Sequence, residues 1–490
     1  MIKPKNITVT VEGNRRIGHC LLRNPHSSRN KIISGESNLY QPGTDKLITS
    51  VLEIIKEAHE VICVSSFIIQ DSKIITEIER AADRGVRVFL LTAAENQIES
   101  PFEDDNLDFK ERKEASRDLL NRLSKKALIK TSQHLHSKFI LVDPKESPKG
   151  FLFTNNLTVR AMAENLELSV KLDKTGVSEL FHQFVIGFWL EAEREIWLEG
   201  NESKLRVANK HPEFVSGISS NERIVWTTSN ETSLKQNLKD MLNSAKNTIS
   251  VSAWTFDSNH EISKLLIAKA SDGVKLKIFT RPHSANQDFM RQAIKAGAEI
   301  FTHGLLHAKS IVVDNSIGMI MTANLSSRGL DTGFETGIKL EREEITVLKR
   351  IHSEWEKRVE YRLVKDAMLK DLTDKYYDLS QKMDLKDPPR EELTMDAGGI
   401  RAANMKDFFE GRVESKNFVA DANSLRTIFN IRLLPPLLPK GAKKLEVKSD
   451  NKFDTFQLNS RKFICVEDFI DLPTAIQEAE KLDYEAVSKT

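Results

Sequence analysis

Cysteine is scarce in this chain: Cys20, Cys63 and Cys465 are the only three in 490 residues. They are odd in number, unclustered and never spaced Cys-x-x-Cys, which argues against a disulfide framework and a structural zinc site. Cys63 falls in an apolar run and reads as a small core residue. Long apolar runs are missing too, since no segment approaches the roughly 18 apolar residues that a membrane-spanning helix needs. The opening residues, Met1-Ile2-Lys3-Pro4-Lys5-Asn6, lack the uninterrupted apolar stretch of a signal peptide. The expectation is a cytoplasmic protein. An excess of one charge is also absent: 72 Lys and Arg against 71 Asp and Glu leave +1. Attraction to nucleic acid or to an anionic membrane therefore has to come from local patches.

What the chain has is length and repetition. At 490 residues, with 40% hydrophobic and 29% charged residues, it is a globular protein too long for one ordinary domain. Two copies of one pattern stand about a domain length apart. The first reads His136-Ser137-Lys138, Asp143, Thr154-Asn155-Asn156 and Glu167; the second reads His307-Ala308-Lys309, Asp314, Thr322-Ala323-Asn324 and Glu335. The offset is 171 residues at His, Lys and Asp and 168 at Asn and Glu. The likeness extends further: Ile62-Cys63-Val64-Ser65-Ser66-Phe67 is echoed by Ile249-Ser250-Val251-Ser252-Ala253-Trp254, and Arg84-Gly85-Val86 by Asp272-Gly273-Val274. Each motif is followed by an amphipathic stretch ending in Trp189 or Trp355, both expected in the core. The expected organisation is an amino-terminal extension over 1–40, homologous domains over 41–200 and 215–360, and an appendage over 361–490.

Leu47, Val51, Ile54 and Ile55 recur at helical spacing, Val61 to Ile69 is a buried-strand run, Ile74 to Ala82 is helical again and Val86 to Leu91 is a strand. The second copy repeats this from Ser233 to Phe279, then adds a helix over Phe289 to Ala296 and a strand at Glu299 to Thr302. Strands alternating with helices predict an α/β fold in each domain, a mixed sheet covered on both faces. Glu103 to Lys126 reads as a charged helix or helical hairpin inserted in the first copy. In the appendage, Val364 to Met383 has a helical pattern broken at Asp387-Pro388-Pro389. Lys440, Lys443, Lys444 and Lys448 form a basic cluster there, read as a solvated loop in preference to a phosphate contact.

Each His-x-Lys is expected to begin a strand that the Asp closes, with a second strand returning to the Thr-x-Asn. Residues two apart on a strand share a face, so imidazole, ammonium and amide gather together. A neutral imidazole can attack phosphorus, ammonium and amide can hold the non-bridging oxygens, and a carboxylate can orient the imidazole. One copy has a single candidate histidine, while cleavage also needs a proton donor for the leaving oxygen. Two copies facing each other supply both, with no metal or other cofactor. Asp143 and Asp314 read as structural rather than proton carriers. His134 and His303 lie nearby but occupy no matched frame.

These residues resemble the phospholipase D superfamily over about residues 40 to 360. The resemblance implies two homologous domains related by a pseudo-twofold, one shared active site and a phosphohistidine intermediate. It assigns the catalytic set His136, Lys138, Asn156, Glu167, His307, Lys309, Asn324 and Glu335, with His136 as nucleophile. The family places Gly-Ser before the x-Asn, where this chain has Phe153-Thr154 and Met321-Thr322, so Thr154 and Thr322 keep a hydroxyl beside the site. The separation from Asp143 to Asn156 is 13 residues against 10 from Asp314 to Asn324. The reading favoured here is a metal-independent nuclease in a restriction or defence setting, with nucleic acid as substrate, a separate ATPase or helicase as partner, and oligomerisation left open. A soluble phospholipase or phosphatidyltransferase is the alternative, and a non-catalytic nucleic-acid-binding scaffold is the alternative of another class.

Overall fold

In a computed structural model, residues 8–12, 16–23, 38–43, 45–94, 119, 122–199, 202–215, 223–281, 284–359, 361–368, 390–394, 443–446, 453–458, 460–466, 475, 478–479 and 481–488 are described. Most of the inserted segment 103–126, and Lys440 and Lys448, lie outside them. The chain divides into two compact units. One holds residues 29–281 and 305–356, and the other holds 1–28, 282–304 and 357–490.

In the first copy, α1 (Asp45–Lys56) leads to β2 (Val61–Ser66), α2 (Ser72–Asp83), β3 (Arg87–Ala93) and β4 (Ala127–Ser132), after a short β1 (Leu39–Tyr40). The hairpin β5 (Phe139–Val142) and β6 (Lys149–Phe153) follows, then α3 (Val159–Ala163), β7 (Ser169–Lys171), α4 (Lys174–Ile186), β8 (Arg194–Glu199) and β9 (Glu202–Val207). The sheet order is β9-β8-β4-β3-β2-β5-β6-β7-β1. β2, β3 and β4 run parallel, and β5 to β7 return antiparallel. Local chemistry sets these elements. Asp71 caps α2 by accepting from the Lys73 and Ile74 amides, and Gly85 leaves the helix at a φ of 94° that suits glycine. Leu47, Val51, Ile54, Ile55, Ile74 and Ile78 pack with Ile62, Val64, Ile140 and Phe151 in one core, each stabilising by ~1.5–3 kcal/mol when fully buried.

The second copy repeats the plan: β10 (Ile224–Thr227), α5 (Ser233–Ser244), β11 (Thr248–Ser252), α6 (Glu261–Ser271), β12 (Lys275–Thr280), β13 (Ser310–Val313), β14 (Ile317–Met321), β15 (Glu335–Lys339) and α8 (Arg342–Arg358). The run β10-β15-β14-β13-β11-β12 is hydrogen-bonded in that order, with β11 and β12 parallel. The expected mixed α/β fold in two homologous copies is thus what the chain adopts.

In the other unit, α7 (Gln287–Ala296) precedes strand Glu299–Thr302, which pairs antiparallel with Tyr361–Met368, itself paired with Arg16–Arg23. Val364 to Met368 is therefore strand, not the helix its charge pattern suggested. The ladder to residues 16–23 satisfies its backbone, and tertiary pairing overrides local helix preference. Lys443 and Lys444 lie on strand Lys443–Leu445 of a four-stranded sheet rather than in a loop. Among the described residues no helix is long and apolar enough to cross a membrane.

Candidate active site

The site is built where the two copies cross. Phe334, just before Glu335, takes hydrogen bonds at its carbonyl from the His136 and Ser137 amides, at 3.0 and 2.8 Å, and its own amide donates to His134. Leu166, just before Glu167, does the same for His307 and Ala308, at 3.0 and 2.9 Å. Each histidine segment is thus stitched to the residue that precedes the other copy's glutamate. The strands β5 and β13 begin one residue after each Lys, so His-x-Lys is an extended lead-in held by these crossed bonds rather than the first residues of a strand.

The side chains cross in the same way. His136 Nδ1 lies 2.8 Å from Glu335 Oε1, and His307 Nδ1 is hydrogen-bonded to Glu167 Oε1. A carboxylate only accepts, so each Nδ1 carries the proton and each Nε2 is left as the atom for chemistry. The second oxygen of each glutamate takes a threonine hydroxyl of its own copy: Thr154 donates to Glu167 at 2.6 Å and Thr322 donates to Glu335. That is the task of the hydroxyl standing before the x-Asn. Lys309 Nζ is 2.8 Å from His307 Nε2, and Lys138 Nζ donates to the His136 carbonyl at 2.8 Å. Burial pushes the Glu167 carboxyl up, but His307, Lys309 and the Thr154 hydroxyl together hold it below the usual carboxylate range.

Asn156 is buried and Asn324 is half-buried, each three residues past the end of its hairpin strand, with the threonine at the first residue past that end. Gly329 keeps Asn324 in place: a Cβ there would stand 2.4 Å from the Asn324 carbonyl oxygen, so only glycine allows the approach. Among the described residues no group of three or more His, Cys, Asp or Glu side chains is arranged to hold a metal ion.

The structure places Asp143 and Asp314 away from the reacting groups. Asp143 accepts from the His59, Glu60 and Val61 amides at 2.8–2.9 Å, and Asp314 from Lys246, Asn247 and Thr248 at 2.7–2.8 Å. Each pins the turn leading into the sheet's central strand, from a backbone at φ 44° or 45°. Burial pushes the Asp143 carboxyl up, yet its three backbone donors outweigh that and hold it low. Its stabilisation is therefore complete above the ordinary carboxyl range and lost as pH falls through the depressed value. Asp143→Ala is expected to cost about 3 kcal/mol in denaturant titrations at neutral pH, with the gap to wild type closing in acid. A gap that stays constant with pH would contradict this role.

His134 is exposed, while His303, in the other unit, is buried. Trp355 is core, but Trp189 is only half-buried. It stands among Phe188, His211 and Phe214, with Lys130 Nζ 4.4 Å from its ring centroid. The π-helical turn Gly187–Glu191 that carries it changes the helix period and turns it off the apolar stripe.

A family model described as "Cardiolipin synthase, PLD-like domain" matches residues 51–189 and 238–361, more than half of the chain. The chain belongs to this phospholipase D-like family. Cardiolipin synthase 1 of Bacillus anthracis is 29% identical over 133 residues, 25% of this chain and 26% of that protein. Cardiolipin synthase of Clostridium perfringens (strain 13 / Type A) is 31% identical over 126 residues, 24% of this chain and 26% of that protein. The chain thus spans about a quarter of the length of these curated relatives. Among solved structures, phosphatidylserine synthase of Haemophilus influenzae Rd KW20 aligns over 70% of this chain and 92% of its own, with 12% identity and a TM-score of 0.48. Three residues of this phospholipase D-like site were not singled out from the sequence: Ser137, Thr336 and Gln183, which lie directly behind the His136–Glu335 pair.

Proposed function

We propose that this chain is a phosphodiesterase or phosphatidyltransferase acting on phospholipid through a phosphohistidine, without a metal ion. The observation that carries the chemistry is the crossed pairing of two imidazoles, each with Nδ1 on the other copy's glutamate. His136 Nε2 attacks phosphorus and the bond to the leaving oxygen breaks as His307 delivers a proton to that oxygen. Water or an alcohol then attacks, gives its proton to His307, and the P–N electron pair returns to His136. Lys138, Lys309, Asn156 and Asn324 hold the non-bridging oxygens through both steps.

The lipid substrate class is supported by the names of the relatives, which are cardiolipin synthases. The residues alone favoured a nuclease with an ATPase or helicase partner, and the relatives lend that reading no support, so the phospholipid alternative takes its place.

The test offers phosphatidylglycerol vesicles, single-stranded and duplex DNA, and RNA to the protein in excess EDTA. Turnover of the phospholipid, unaffected by the chelator, is the expected result. Abolition by EDTA with recovery on adding Mg²⁺ would sink the metal-free chemistry. Cleavage of nucleic acid alone, with binding that weakens steeply in salt, would return the assignment to a nuclease.

A further inference from the structure

The two half-sites are not equivalent behind the histidines. On the His136 side, Ser137 Oγ is 2.6 Å from Thr336 Oγ1, and the Thr336 hydroxyl donates to Gln183 Oε1 at 2.5 Å. Gln183 Nε2 in turn donates to the Glu335 carbonyl at 2.8 Å and approaches Ser137 Oγ at 3.4 Å. All three side chains are fully buried. The repeat offsets identify their counterparts on the His307 side as Ala308, Leu168 and Ile351, which are buried and apolar. A closed polar triad on one side thus has three buried apolar residues as its counterparts on the other.

We infer that Gln183, carried by α4, is a positioning residue for His136. It acts through Ser137 and Thr336, and the inference rests on the phosphohistidine reading above. Ser137 lies between His136 and Lys138, and Thr336 follows Glu335. The amide therefore ties together the backbone on both sides of the His136–Glu335 hydrogen bond. Three buried polar groups need partners, and here they find them in one another and in the Glu335 carbonyl. The cost of separating them locks the spacing of imidazole and carboxylate. On the His307 side the polar contacts from α8 run instead through His352 to Ser310, which follows Lys309, and to Ser250, while the imidazole itself is held by its buried contacts with Glu167 and Lys309.

Gln183→Leu is expected to lower kcat about 10-fold or more on a chromogenic phosphodiester, through misplacement of the nucleophile, while KM changes less than about twofold. Phosphoenzyme formation should slow and its hydrolysis should not. Gln183→Glu keeps an acceptor for Thr336 but puts a carboxylate oxygen in place of the donor to the Glu335 carbonyl and Ser137 Oγ, so it serves if the leucine variant does not fold. Ile351→Leu, the same frame on the other side, is the matched control and should leave kcat unchanged.

The second readout needs no substrate. Imidazole nitrogen resonances of labelled protein, with His136 assigned by its loss in His136→Asn, should show the fixed Nδ1–H tautomer of His136 giving way to a mixture in the Gln183 variants, with His307 unaltered. Unchanged kcat and an unchanged His136 spectrum would overturn the inference. So would His136 and His307 resonances that shift equally. If the wild-type protein turns over no phosphodiester, the phosphohistidine reading fails, and the spectrum alone still decides whether Gln183 sets the geometry of His136.

Discussion

The His307→Ala protein is expected to stop half-way, with the phosphoryl group held on His136. An activated substrate with a good leaving group needs little protonation, so the first displacement proceeds. The second displacement needs a base to take the proton from water, and none remains. Steady turnover should fall by roughly 10²–10⁴, and an acid-labile adduct should build up within the first turnover. The structure adds a reason for this assignment beyond family habit. The His136 side chain is 13% exposed and that of His307 only 1%, so substrate phosphorus has the more open approach to His136. Mass spectrometry of the quenched reaction locates the adduct. Finding it elsewhere, or finding inversion at a chiral phosphorus, would refute the assignment, because two in-line displacements give retention.

Glu335→Gln and Glu167→Gln should fail differently. At His136, the amide no longer demands a proton on Nδ1, so Nε2 is not reliably the unprotonated nitrogen, and kcat is expected to drop by about 10³–10⁴. The fold should survive, because the amide is isosteric and still reaches the Thr322 hydroxyl. At His307 the same exchange removes the carboxylate from a fully buried cluster that holds Lys309 as well. Breaking a buried charge pair costs about 3–5 kcal/mol, so Glu167→Gln should lose thermal stability as well as activity. Melting curves beside kcat measurements separate the two. A Glu167→Gln protein that melts with the wild type, or a Glu335→Gln protein with a tenth of normal kcat, would show that the charges do not do what is claimed for them.

Much of this was legible in the residues because it is periodic or repeated. Leu47, Val51, Ile54 and Ile55 declare a helix by their spacing, and the doubled His, Lys, Asn and Glu declare a shared site by their offsets. Gln183 was hidden because its partners lie far away in the chain: Thr336 is 153 residues away, and a lone polar residue on an amphipathic helix gives no local signal. Superposing the repeats would have exposed it, as glutamine where the other copy has isoleucine. Val364 to Met368 misled because strand pairing with residues 16–23 outweighs a helical charge pattern. For Trp189, the π turn broke the periodicity on which a core assignment relied.

The crossed hydrogen bonds of Phe334 and Leu166 have a consequence for how such a chain can change over generations. Neither copy owns a complete histidine–glutamate pair: each keeps its histidine and lends its glutamate. A gene half cut away would take with it the carboxylate of the surviving histidine, so the survivor could work only by pairing with a twin of itself. Selection therefore reads the two copies as one sentence, while leaving them free to diverge wherever the borrowing does not reach.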